Sequence, residues 1–359
     1  MRFFDQQLDA RARTRRLRLA FVLAVIGTVA GVHFMLAAPF VLFRWLSGVP
    51  GEVIYPSGFM VVNVATPLLL ILGGWWIEAG NCNHGVRLAQ RLGARLAQPG
   101  SHFAEQRLTN IVQEMCIAAH MPPPTVLVLP REAAINAFAS GMEPADWAIT
   151  VTEGALEYLT RAELMGLVAH ELSHLREGDT QLNMRLIGMV FGLEMVWGWG
   201  RSMVAYREEE RHFWSNPIIG IIIMAVGWCG WLAGRALQAA VSREREHLAD
   251  ARAVQWTRHA DGLGRTLRKC LGQQQGGVQL RLLLLHRAFA HLLLTEGEEE
   301  HGSSGWLATH PPLPQRIRRI YGGTRSALPV ERLDAASDAP RAAPPNPFRT
   351  SRPLPPPTY

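Results

Sequence analysis

From Leu17 to Phe43 the chain reads "LRLAFVLAVIGTVAGVHFMLAAPFVLF", and past Arg18 it stays apolar to the end of the run. That exceeds the roughly 20 apolar residues a helix needs to cross the hydrocarbon of a bilayer. No other feature constrains the fold as much. In lipid every backbone N–H and C=O must be satisfied internally, so such a run is a helix. A second run, "GFMVVNVATPLLLILGGWWIEAG" (Gly58 to Gly80), follows soon after, with Trp75 and Trp76 at its end, where interfacial tryptophans belong. A third is "NPIIGIIIMAVGWCGWLAGRALQAA", Asn216 to Ala240. A weaker one, "RLIGMVFGLEMVWGWGRSMVA" (Arg185 to Ala205), carries Glu194 and several glycines, and alone it also reads as a buried core helix. The first run is too long for the apolar region of a cleavable signal peptide, although "TRRLRLA" before it loosely resembles a twin-arginine signal.

Composition matters less than its distribution. The chain is 48% hydrophobic, a value that soluble proteins also reach. Its net charge of +6 comes from basic residues beside the apolar runs, which suits anionic lipid head groups. No nucleic-acid motif is present, and the basic clusters lack interleaved aromatics. Four cysteines, Cys82, Cys116, Cys229 and Cys270, have no CxxC spacing, which argues against a disulfide framework or a cysteine zinc site. The expected organisation is a tail and two spans over 1–80, a first polar part over 81–184 and a membrane hairpin over 185–240. A second polar part follows over 241–325, and a Pro-rich tail over 326–359 reads as disordered. A small sheet is expected near "TVLVLP" (Thr125 to Pro130) and "WAITVTEG" (Trp147 to Gly154).

Within the first polar part, His170, Glu171 and His174 spell H-E-x-x-H. Thr160 with Glu163 forms a capping-box signature, Leu164, Leu167 and Val168 follow at helical spacing, and Gly178 is placed to end the helix. On that helix the two imidazoles stand one turn apart and can reach one ion, with Glu171 beside them as a base for water. Zinc lowers the pKa of a bound water to about 7. Chance matches to so short a pattern occur, and two surface histidines are the plain alternative. A catalytic zinc takes three protein ligands as a rule. The third is sought in "SREREHLADARAV" (Ser242 to Val254), where Glu246 and Asp250 are spaced i, i+4. One can ligate while the other hydrogen-bonds a ligand histidine. Glu244, His247 or a merely solvated helix remain open on the residues alone.

Ligands of one ion must lie on one side of the membrane, so an even number of crossings separates them. If Asn216–Ala240 crosses, Arg185–Ala205 most simply crosses too, with "YREEERHFWSN" on the far side. The alternative is a hairpin lying in or on the bilayer. Arg2, Arg11, Arg13, Arg15 and Arg16 precede the first run, Arg87, Arg91 and Arg95 follow the second, and Arg243 and Arg245 follow the third. The far loops hold Arg44 in one, and Arg207 and Arg211 against three glutamates in the other. The positive-inside rule then places both termini and the histidine helix in the cytoplasm.

With these motifs assembled, the chain resembles the HtpX-like integral-membrane zinc metallopeptidases, relatives of the CAAX prenyl proteases and of the mitochondrial Oma-type peptidases. The resemblance covers roughly residues 1–325. It rests, in order, on "INAFASG" (Ile135 to Gly141), "VAHELSHLREGD", "SREREHLADA" and "ATHPPLPQRIRRI" (Ala308 to Ile320). The opening "FFDQQLDARARTRRL" also looks like a bacterial subgroup. The resemblance implies one zinc per chain, held by His170, His174 and Glu246, with Glu171 as general base and Asp250 as the aspartate four residues on. It implies that Asn136, Ala137 and Phe138 belong to an edge along which substrate backbone adds as a strand. It implies that His310 can reach the zinc and block it, and that Arg316 contacts a carbonyl or the oxyanion. His247 departs from the family, which often has an aromatic residue there.

The expected fold is a mainly α membrane protein with four transmembrane helices and a zincin-like α+β catalytic domain. The expected activity is zinc-dependent endopeptidase action on membrane or misfolded proteins at the bacterial inner membrane, in quality control. Partners are polypeptide substrates and the lipid bilayer, with no nucleic acid. The competing readings are a latent or inactive scaffold or chaperone of the same fold, and a channel using Glu194 as an intramembrane carboxylate. A CAAX-type chamber would need more spans.

Overall fold

The computed structural model describes residues 3–48, 51–205, 217–278, 287–295 and 308–333. Among them, three helices are long and apolar enough to cross a membrane. They fall in α1 (Phe3–Ser47, the apolar part Leu19–Ser47), α2 (Phe59–Asn81) and α8 (Pro217–Thr257, the apolar part Pro217–Ala239). Their outer faces carry large apolar side chains open to the surroundings, such as Phe34 at 68%, Leu69 at 70% and Ile218 at 68% exposed. A soluble protein rarely shows a contiguous apolar patch of that extent. Lipid is the medium that makes it favourable.

The weaker run lies in α7 (Asp179–Val204) and is not among the three. Arg185, Glu194, Arg201 and its glycines lower its hydropathy. It is instead wedged between α2 and α8. A Cβ on Gly192 would sit 2.5 Å from the Ile71 carbonyl oxygen, and one on Gly200 would sit 2.4 Å from the Met224 nitrogen. Helices this close need glycine at the crossing, as in membrane bundles generally.

Toward the chain's polar parts come α3 (Gly85–Arg91), α4 (Phe103–Ala119), α5 (Glu153–Tyr158), α6 (Arg161–Glu177), α9 (Ala260–Gln275) and α10 (Leu313–Tyr321). A four-stranded mixed sheet, ordered β1-β2-β4-β3, is built from β1 (Arg95–Leu96), β2 (Thr125–Leu129), β3 (Ala137–Ser140) and β4 (Ala148–Thr152). β2 and β4, rich in β-branched residues, are the two expected strands and pair in parallel from Thr125↔Ala148 to Leu129↔Thr152. β1 and β3 join them antiparallel on either side. Side chains alternate across the sheet, as the two-residue period requires. Val128, Ala137, Ala139, Ile149 and Val151 face a core with α4, α6 and α9, built on Leu108, Ile111, Leu164, Leu167 and Leu263. Leu127, Leu129, Phe138 and Ala148 face a second core with Leu88, Met184, Ile187, Phe289 and Leu293.

Two boundaries differ from expectation. α8 runs unbroken from the apolar segment through Glu246 and Asp250, so no break occurs at 240. The domain also continues past 325. Leu328 N–H donates to Arg268 O at 3.0 Å and Leu333 N–H to Glu157 O at 3.0 Å, strapping 326–333 onto α9 and α5. The link 206–216 and the tail 334–359 lie outside the described residues.

Candidate metal centre

The sequence builds the centre on four helices. α6 opens with a full capping box: Glu163 N–H donates to Thr160 Oγ1 and Thr160 N–H to Glu163 Oε2. It closes at Gly178, whose φ of 72° is a left-handed turn that glycine adopts at little cost. That turn puts Asp179 at the start of α7, back beside the histidines. α8 contributes Glu246 and Asp250 one turn apart, and α10 contributes Arg316.

His170, Glu171 and Glu246 are almost wholly buried, and His174 is only slightly exposed. His170 Nδ1 lies 3.1 Å from Asp250 Oδ1, and His174 Nδ1 lies 3.0 Å from Asp179 Oδ2. An ionised carboxylate only accepts, so these contacts favour the tautomer with the proton on Nδ1, which leaves Nε2 of each ring free to face a metal ion. The two Nε2 atoms are 3.2 Å apart. Glu246 Oε2 is 3.6 Å from His170 Nε2, and Oε1 is 3.4 Å from His174 Nε2. Positive charge, a proton on His174 or a metal ion, holds two imidazoles and a carboxylate at that range. For a tetrahedral ion with bonds of about 2.0–2.1 Å, the edges between ligands come to roughly 3.3 Å. The two Nε2 atoms have that spacing, a Glu246 oxygen lies within 4.8 Å of both, and two imidazoles with one carboxylate are a donor set that fits zinc. His170, His174 and Glu246 are also the three-donor group found among the described residues.

The electrostatics favour a cation. Burial opposes charge on His174, but the carboxylates of Asp179 and Glu246 outweigh it and hold its pKa well above the usual imidazole value. Burial likewise opposes charge on Glu246, yet His310 and Arg316 hold it well below the usual carboxylate range. Asp250, also buried, is brought down to about 2 by the Arg316 guanidinium and the hydrogen bond with His170. Glu171 goes the other way: burial raises it, and His170 and His174 only partly offset that.

The structure brings the remaining candidates to the same place. Arg316, fully buried, donates from Nε to Asp250 Oδ2 at 2.9 Å and from Nη2 to Oδ1 at 2.7 Å. Its Nη1 lies 3.0 Å from Glu246 Oε2 and donates to the Leu294 carbonyl at 2.8 Å. His310 Nδ1 lies 3.3 Å from Glu246 Oε2. Ala137 and Phe138 open β3, the terminal strand of the sheet, and Asn136 immediately precedes it. His247 is half-buried and outside the converging donors, and the side chain of Glu244 lies outside the described residues. Sequence reasoning gave no role to Asp179, although it ends the stretch "HELSHLREGD". Its signal was a carboxylate just past a helix-ending glycine. Arg245 holds Asp179 from behind, Nη1 to Oδ1 at 2.6 Å.

Residues 103–323 match Peptidase family M48. Curated relatives are bacterial proteins described as "Protease HtpX homolog". That of Syntrophobacter fumaroxidans is 29% identical over 290 residues, covering 80% of this chain and 96% of that protein. That of Dictyoglomus turgidum is 32% identical, covering 59% and 68%. That of Lactobacillus acidophilus is 34% identical, covering 59% and 72%. Among solved structures, the crystal structure of S. mikatae Ste24p is a distant likeness. Its TM-score is 0.39 at 15% identity, over 88% of this chain and 66% of that chain.

Proposed function

The chain belongs to peptidase family M48 and is HtpX-like, and from that premise we propose that it is a membrane-bound, zinc-dependent endopeptidase. The observation that carries the metal assignment is the convergence of two imidazoles and one carboxylate, with a ligand atom of each within 4.8 Å of the others and a second carboxylate beside each ring.

His170, His174 and Glu246 are the ligands in this reading, with Asp250 and Asp179 fixing the two rings. Bound zinc supplies Lewis acidity, which lowers the pKa of water to about 7 and polarises the scissile carbonyl. Glu171 takes one proton from the attacking water as its oxygen bonds to the carbonyl carbon. It then delivers that proton to the amide nitrogen as the C–N bond breaks. Such transfers by one positioned carboxylate are general base and then general acid catalysis. Arg316 neutralises the paired carboxylates and presents Nη1 toward a backbone carbonyl.

Four helices cross the membrane in this reading. α7 packs against α2 and α8 through Gly192 and Gly200, so if they cross, it lies at the same depth. Glu194, in the middle of the helix, is half-buried, whereas Arg185 and Arg201 are exposed nearer its two ends. Both termini and the metal centre face the cytoplasm of a bacterial inner membrane, by the distribution of arginines. Residues 81–184 and 241–333 together form the catalytic domain. Substrates are unfolded or damaged membrane proteins, in quality control. A latent form has its own observation, His310 beside Glu246. In that form His310→Ala raises cleavage at constant zinc.

The test is metal removal from the detergent-purified chain. Chelation should abolish cleavage of an unfolded polypeptide, and one equivalent of zinc should restore it. Cleavage that survives complete zinc removal would refute the reading.

A further inference from the structure

β3 ends the sheet, and one of its edges is taken by β4. The other is met by the chain's own segment 287–295. Leu294 N–H donates to Ala137 O at 3.1 Å and to Asn136 Oδ1 at 2.8 Å. Asn136 Nδ2 returns a bond to Thr295 O at 2.9 Å. The Leu294 carbonyl accepts from Arg316 Nη1, the same nitrogen that lies 3.0 Å from Glu246 Oε2. One guanidinium nitrogen thus joins a backbone carbonyl of the segment to a proposed metal ligand.

Side chains anchor it further. Phe289, Leu292 and Leu293 are buried in the core with Phe138, Met184 and Ile187. Buried His291 reaches both membrane-side helices, with Nε2 3.3 Å from Asn183 O on α7 and Nδ1 3.5 Å from Gln238 Nε2 on α8. The segment therefore fills the space bounded by the sheet edge, the ligand side and the two helices that lead from the membrane.

A terminal strand is a template for an added polypeptide, through main-chain hydrogen bonds and alternate side-chain pockets. We propose that Leu292–Thr295 is a built-in occupant of the substrate strand's place on β3. A substrate with consecutive large apolar side chains must displace it before cleavage. This rests on the endopeptidase reading and adds to it the substrate class and a gate. Displacement exchanges like for like: an incoming strand can make the bonds to Ala137 O, Asn136 and Arg316 that Leu294 and Thr295 give up. Apparent affinity is then reduced by the fraction of molecules whose segment is displaced. Substrates with apolar runs, as unfolded membrane segments have, compete best, because the vacated sites are those of leucines.

Hydrogen exchange on the zinc-loaded full chain carrying Glu171→Gln tests this. The probe is a fluorescent peptide with the sequence of residues 289–296, and its binding is followed by anisotropy. Saturating peptide should speed exchange at residues 292–295 at least tenfold and leave Ala148–Thr152 unchanged. Bound peptide with unchanged or slower exchange at 292–295 overturns the proposal. So does failure of this peptide to bind. Leu294→Pro, which removes the N–H given to Ala137 and Asn136, should raise kcat/KM on a short apolar peptide at least threefold at one zinc per chain. A fall at unchanged zinc and Tm overturns it too. Wild type that holds zinc and cleaves casein keeps the endopeptidase reading intact through any of these failures. Wild type that does neither removes that reading itself.

Discussion

Removing the Asp179 side chain should weaken zinc binding without removing a ligand. The carboxylate is 7% exposed and sits 3.0 Å from His174 Nδ1 and 2.6 Å from Arg245 Nη1. Asp179→Ala deletes the acceptor that fixes the His174 tautomer and turns its Nε2 toward His170 and Glu246. Loss of such a partner typically costs about 10–100-fold in metal affinity, or about 1.4–2.7 kcal/mol. Asp179 also stands in the first turn of α7, where a carboxylate contributes a further 0.3–1 kcal/mol, roughly, to helix stability. The two effects separate in the assay. Competition against a zinc chelator reads affinity, and Tm of the zinc-free protein reads the helix term together with the lost pairing to Arg245 and His174. Asp179→Asn should fall between wild type and alanine in affinity, because its amide oxygen still accepts from Nδ1 without the charge. A zinc affinity for Asp179→Ala within twofold of wild type would refute the orienting role.

Other outcomes follow from the same geometry. Glu246→Ala should leave the purified chain with well under one zinc, read by metal analysis; full zinc content would mean that another residue is the third ligand. Glu163 gives a pH dependence away from the metal. Burial raises its pKa, but the hydrogen bond from Lys269 at 2.7 Å and the Thr160 amide at 2.9 Å bring it below the usual value. Its folded pKa is thus lower than its unfolded pKa of about 4.3. Its contribution is present above that value and fades as pH falls through the folded pKa. The Tm difference between wild type and Glu163→Gln should therefore shrink on acidification from pH 7 to 3, and a constant difference would contradict the pairing. A reporter inserted within 206–216 should read as external. A cytoplasmic reading would replace two crossings with a surface hairpin.

Local physics was legible in the chain. The apolar runs, the Thr160–Glu163 cap, the Gly178 stop and the β-branched strands β2 and β4 each depend on neighbours in sequence, and the structure places them where the residues indicate. What depends on distant partners was not legible. Arg316 meets Asp250 across 66 residues, and Asn136 meets Thr295 across 159. No periodicity reports such pairs. β3, "AFAS", lacks β-branched residues and is a strand because β4 and the 292–295 segment flank it. The compositional change near 240 suggested a boundary, yet α8 continues through it. There the surroundings change, and helix-forming residues carry on. α7 was ambiguous because two helices, rather than lipid, cover its glycine-bearing faces.

The central claim is that Glu171 acts on water beside a zinc held by His170, His174 and Glu246. The most direct measurement sets zinc content and casein cleavage side by side for detergent-purified wild type and Glu171→Gln. One zinc in both proteins is expected, with cleavage at least a hundredfold lower in the variant, the lower end of what a general base contributes. Equal cleavage by the two would remove Glu171 as the base, and no zinc in either would contradict the metal centre itself.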